Sequence, residues 1–168
     1  MSGQTSNQAN YWNLFYDLCV YFYYMEIYQA KDQITLRNIN IFLAVTSSSS
    51  IAAWAVWQKV SWLWATIIAV SQVLNVAVMF LPHKRREKTL RTVLPQLHDL
   101  LLDCEDKYDA VSKGGLTDRE IHEETMALKR RFGDLRKQLY GCGLPLVDGY
   151  AKVAETRAKN YLMQYSNK

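Results

Sequence analysis

Hydrophobic residues recur along this chain in three different patterns. The central one is continuous. Ile39–Trp57 is 19 residues without a charge, and Trp62–Leu81 is another 20. At ~1.5 Å rise per residue each stretch makes roughly 28–30 Å of helix, the thickness of a bilayer's hydrocarbon core. Only Gln58-Lys59-Val60-Ser61 separates them, so two spans here run antiparallel as a hairpin. The second pattern is a heptad. Leu90, Leu94, Leu97, Leu101, Cys104, Tyr108 and Val111 alternate spacings of four and three, which predicts one helical seam. Pro95 inside that seam predicts a kink or a restart. Lys113-Gly114-Gly115 predicts a helix end, and Thr117-Asp118-Arg119-Glu120 is a capping box that opens the next helix. The seam of that helix is Ile121, Leu128, Phe132, Leu135 and Leu139. Gly141-Cys142-Gly143-Leu144-Pro145 breaks the chain, and a last helix from about Pro145 carries Tyr150, Ala154, Ala158, Tyr161 and Tyr165.

The third pattern is aromatic. Tyr11, Trp12, Phe15, Tyr16, Tyr21, Phe22, Tyr23, Tyr24 and Tyr28 crowd one short segment. Leu14, Leu18, Tyr21, Met25 and Tyr28 share one helical face, and Ser6 or Asn7 is placed to cap its start. Aromatics cover more than one face, so this helix either lies in a membrane's head-group region or packs on the carboxy-terminal helices. No strand pattern and no repeat occurs. The predicted class is an all-α membrane protein in three parts. They are an N-terminal aromatic helix (1–38), a two-helix transmembrane hairpin (39–82), and a cytoplasmic region of about three helices (83–168), the first continuing from the second span.

Composition changes this picture only when it is divided. The mean hydropathy of −0.18 is that of an ordinary soluble protein. Yet Lys59 is the one charge between Ile39 and Pro82, out of 20 basic and 16 acidic residues in the whole chain. A buried soluble bundle of four or five helices is the competing expectation. Positive flanks set the orientation. Lys31 and Arg37 precede the first span, and Lys84, Arg85, Arg86, Lys88 and Arg91 follow the second, so both termini are expected in the cytoplasm. Lys84, Arg85 and Arg86 are expected at anionic head groups. Trp54, Trp57, Trp62 and Trp64 flank the connection, where an interfacial aromatic belt lies. The first 30 residues lack the basic start and clean apolar run of a cleavable signal peptide, so the first span is expected to act as the targeting signal.

Both spans carry polar groups at nearly the same depth. The first holds Thr46, Ser47, Ser48, Ser49 and Ser50; the second holds Ser71, Gln72 and Asn75. Ser47, Ser50, Gln72 and Asn75 are the candidate functional positions. Such groups either hold helices together or line a water-filled path, and both roles need more partners than one hairpin supplies.

Catalytic chemistry is sparse. His122-Glu123 lacks the second histidine of a zincin, since residue 126 is Met. His98 with Asp99 and Asp103 finds no converging ligand in the sequence, and no phosphate loop or nucleophile elbow occurs. No catalytic residue, metal site or cofactor is expected. Three cysteines, at 19, 104 and 142, form no metal-binding or disulfide pattern. Lys129-Arg130-Arg131 with Arg136-Lys137 forms a basic patch, read either as a solvated face or as a site for an anion. The aromatic segment contains no interleaved Lys or Arg, so nucleic acid is not an expected partner.

This layout resembles the SLATT-type domains, small two-span bacterial proteins associated with nucleotide-second-messenger and sensor systems. The features that carry the resemblance are Ile27-Tyr28-Gln29-Ala30 leading into Arg37-Asn38, the serine-bearing first span, and the exit from Leu81 to Val93. It covers about Tyr11 to Tyr165. It implies an oligomeric, pore-forming or membrane-disrupting effector of bacterial anti-phage defence in the inner membrane. It further implies triggering in trans by a sensor protein or nucleotide signal, with Ser47, Ser50, Gln72 and Asn75 as lining candidates. The alternative is a non-conducting anchor or assembly module whose cytoplasmic helices recruit a partner.

Overall fold

With no Gly or Pro to interrupt it, the aromatic segment and the uncharged stretch after it form one helix, α1 (Ser6–Val56). Four more follow: α2 (Ser61–Phe80), α3 (His83–Ser112), α4 (Asp118–Tyr140) and α5 (Asp148–Ser166). This computed structural model describes residues 6–56, 61–80, 83–141 and 143–166, without the side-chain surroundings of 46–56, 61, 64, 75, 77–80, 83–85 and 166. The class is all-α, and the described residues contain no strand. Among the described residues no helix is long and apolar enough to cross a membrane. The sequence of α2 is nonetheless 20 residues long without a charge.

The chain divides into two compact units, Met1–Gln29 with Arg85–Lys168, and Ala30–Lys84. The division falls inside α1, which runs without a break from Ser6 to Val56.

The first unit is an up-down-up-down four-helix bundle. Gln8 of α1 reaches the Val111 carbonyl near the end of α3, while Arg86 near the start of α3 reaches Tyr28, so these helices are antiparallel. Arg131–Asp103 and Lys107–Glu124 pairs set α4 antiparallel to α3. Tyr28 against Tyr150 and Phe15 against Tyr165 set α5 antiparallel to α1. The aromatic segment therefore packs on the carboxy-terminal helices, one of its two expected placements. Tyr11, Phe15 and Leu18 of α1 are fully buried with Leu90, Leu97 and Leu100 of α3, Ile121 and Leu128 of α4, and Ala154 and Ala158 of α5. Each large apolar side chain there contributes about 1.5–3 kcal/mol.

The heptad on α3 is the buried seam, widened by Val93 and Leu100 because this helix faces more than one neighbour. Pro95 does not end α3, which continues through it. The capping box forms as the sequence predicts: the Thr117 side chain accepts from the Glu120 amide, and the Glu120 carboxylate accepts from the Thr117 amide at 2.7 Å. Asn7 does not cap α1; its side-chain amide donates to the Asp118 carbonyl at 3.1 Å. The last helix starts at Asp148, three residues beyond Pro145.

The second unit holds the rest of α1 and all of α2. Its described hydroxyls turn back onto their own helices: Thr35 to Lys31, Thr66 to Trp62 and Ser71 to Ile67, at 2.7–3.0 Å. That pattern satisfies a hydroxyl without water.

Candidate functional site

On α2 the helical period sorts residues onto two sides. Ile67, Ser71 and Leu74, spaced four and three apart, are partly shielded. Ile68, Gln72 and Val76 form the open side, together with Val73, which is 69% exposed. Gln72 thus points away from the shielded stripe, and the described residues supply its amide with no hydrogen-bond partner. Ser71, its neighbour, is on the shielded side and bonded within the helix. On α1 of the same unit Ile34, Ile41, Phe42 and Val45 are exposed.

Of the other predicted positions, Ser47 and Ser50 lie on α1 and Asn75 on α2, with side chains outside the described residues. The same holds for the side chains of Trp54, Trp64, Lys84 and Arg85, and for Trp57 altogether. Trp62, at the start of α2, is 70% exposed. Arg86 is half-buried in the first unit, donating to the Tyr28 hydroxyl at 3.3 Å and to the Gly143 carbonyl at 2.9 Å. These bonds join the start of α3 to α1 and to the α4–α5 connection.

The large buried side chains of the described core all belong to the first unit, from Tyr11–Tyr28 and Leu90–Leu162. In the second unit most of the described apolar side chains are exposed, with Leu36, Ile39, Leu43, Ile67 and Leu74 partly shielded.

The predicted basic patch on α4 resolves into different environments. Arg131 pairs with Asp103 at 2.6 Å and Lys137 with Asp134 at 2.9 Å. Arg136 meets no carboxylate among the described residues. Its guanidinium lies 5.7–5.8 Å from the ring centres of Tyr21, Phe132 and Tyr140, and donates to the Tyr140 hydroxyl at 3.0 Å. Beside it is a cavity of about 250 Å³ between α1, the end of α4 and the α4–α5 connection. Gly143, at φ +55°, turns that connection back over the cavity, a backbone state that other residues adopt only with strain. Tyr24 holds the connection: its hydroxyl donates to the Pro145 carbonyl at 2.9 Å and accepts from the Val147 amide at 3.1 Å. Burial pushes the Tyr21 hydroxyl above its ordinary value, and the Arg136 charge beside it partly opposes that shift. The sequence displays this patch only as charge. Of the three rings, Phe132 and Tyr140 stand four residues to either side of Arg136 on α4, whereas Tyr21 comes from α1, more than a hundred residues earlier, and no local pattern joins it to the patch.

Elsewhere in the first unit, the Glu105 carboxylate of α3 accepts from the hydroxyls of both Tyr161 and Tyr165 of α5. Burial and then Glu105 raise the Tyr161 hydroxyl well above its ordinary value. The His98 ring lies tilted against Phe22, centres 5.2 Å apart, instead of joining Asp99 or Asp103, and the described residues hold no group of His, Cys, Asp and Glu able to bind a metal. Cys19 and Cys104 are buried free thiols. No protein-family model matches this chain, nor does any curated protein or solved structure compared with it.

Proposed function

We propose that this chain is an oligomeric two-transmembrane effector of the bacterial inner membrane, both termini cytoplasmic, which opens a pore or disrupts the bilayer when triggered. The observation that carries it is the contrast between the two units. The first closes a large core of its own, while most of the described apolar side chains of the second, those of the uncharged α2 among them, are exposed. An apolar surface of that kind marks a site for lipid or for further copies of the chain. Self-satisfied hydroxyls on Thr66 and Ser71 suit an environment without water. Gln72 adds the case for oligomers. A side-chain amide on the open side of α2 is costly against lipid, and a neighbouring copy or a wet lumen relieves that cost. The resemblance to SLATT-type domains supplies the anti-phage setting and a sensor protein or nucleotide signal acting in trans.

The alternative, a non-conducting anchor recruiting a partner through its cytoplasmic helices, has less support. The seams of α3 and α4 that would serve it are already occupied within the chain's own bundle. Membrane potential in bacteria expressing the chain separates the two. Depolarisation on triggering, abolished by the paired Gln72→Leu and Asn75→Leu changes with membrane insertion intact, is the expected result. A wild type that stays in the membrane, binds a partner and never depolarises cells favours the anchor. Release of the chain without detergent refutes both readings.

A further inference from the structure

A second site lies in the first unit, independent of the membrane reading. Arg136 donates to Tyr140, is also hydrogen-bonded to Tyr21, and meets no carboxylate among the described residues, so its five N–H donors are only partly used. Three aromatic rings hold the guanidinium in place, an arrangement that fixes a cation's orientation without neutralising its charge. The adjoining cavity has apolar walls from Met25, Leu139 and Leu144 and a rim of Tyr140 and Leu146, which are 69% and 81% exposed. A large apolar rim, apolar walls and one oriented cation together describe a receptor for an amphipathic anion.

We propose that this cavity binds a small organic anion with a single flat ring, its carboxylate or phosphate paired with Arg136 and its ring between Tyr21, Tyr24 and the leucines of the connection. Size sets the limit. At about 250 Å³ the cavity falls below the ~300–1,000 Å³ of drug-sized sites, so a ring with one anionic group fits and a dinucleotide does not. The fork of the guanidinium favours a planar or tetrahedral oxyanion that accepts two parallel hydrogen bonds. Bound there, the ligand would also touch the connection that Gly143 and Tyr24 shape, tying the end of α4 to α1.

The test is calorimetric titration of the full-length chain in detergent with phenyl phosphate and benzoate, beside phenol and inorganic phosphate. Saturable binding of at least one aromatic anion, roughly tenfold or more tighter than either half alone, is expected. Arg136→Gln should weaken it by at least about tenfold with the melting temperature of the free protein little changed. Arg136→Lys, which keeps the charge and loses the fork, should fall between. A second variant, Leu146→Asp, places a like charge at the rim and should weaken binding without touching the core. Equal affinity in wild type and Arg136→Gln, binding of inorganic phosphate as tight as of phenyl phosphate, or no saturable binding of either aromatic anion overturns the proposal. Depolarisation assays play no part in these outcomes, so the site and the membrane function fail separately.

Discussion

The Tyr11 hydroxyl of α1 donates to the Cys104 carbonyl of α3 at 2.8 Å, with the Tyr11 ring fully buried beneath it. The carbonyl belongs to a helix interior and already has a place in the α3 ladder, so the tyrosine adds a second bond to it. Tyr11→Phe should therefore cost only about 0.5–1.5 kcal/mol, because neither partner is left wholly unsatisfied. Tyr11→Ala should cost about 3–5 kcal/mol through the cavity it opens. Denaturant titration of the two variants in detergent checks the ratio. Equal losses would mean that the hydrogen bond, and not the ring, holds α1 to α3.

Glu105 joins α5 to α3 through two tyrosines at once, so its removal should exceed either tyrosine's. Hydrogen bonds to a charged group are worth about 1.5–3 kcal/mol each. Tyr161→Phe and Tyr165→Phe should each destabilise the chain, and on a Glu105→Gln background both effects should shrink. Hydrogen exchange along 148–166 provides the local reading: protection there should fall before protection in α4. Additive losses across the cycle would show that the two hydroxyls do not share the carboxylate.

Stability should decline in alkaline solution. Burial pushes the Cys19 thiol up to about 12 and the Cys104 thiol up to about 11 from an ordinary 9.0. The unfolded chain loses these protons near pH 9 while the folded chain retains them, so their contribution is complete below about pH 9 and is lost as pH rises through about 9–12. Burial raises the Tyr11 hydroxyl as well, which acts in the same sense at higher pH. Melting temperatures at about pH 7 and about pH 10.5 should differ more in wild type than in Cys19→Ala. A Cys19→Ala variant with an unchanged alkaline slope would remove the thiol from this account.

Local patterns carried most of the first unit. The seam from Leu90 to Val111, the Thr117–Glu120 capping box and the glycine stop before α4 are relations between residues at most four apart, and each formed as read. Val93 and Leu100 were missed because a heptad describes contact with one partner, whereas α3 meets several. Of the kink or restart read at Pro95, the restart does not occur: α3 continues through it, with buried Leu90 and Val93 on one side and Leu97 on the other offsetting the one missing amide. Ser6 or Asn7 is the cap that local surroundings suggest, and Arg86, expected at head groups, has further partners inside the bundle. The partners of Asn7 and Arg86, Asp118 and Gly143, are remote in sequence, as is Tyr21, the α1 ring beside Arg136. The depth match of Gln72 with the serine run is an expectation from positions along the chain, and the serine side chains lie outside the described residues. The direction of Gln72 on the open side of α2 was not legible along the chain, because the period alone does not say which stripe is covered.

Tyr24 satisfies a carbonyl and an amide of the α4–α5 connection with one hydroxyl. That stretch of backbone therefore depends on a side chain 121 residues upstream for the bonds a turn normally makes within itself. Any scission between α1 and α3 cuts the template away from the loop it shapes. The last three helices are an incomplete body whose missing stave is the start of α1, and because that stave is synthesised first, the connection meets its template as soon as it is made.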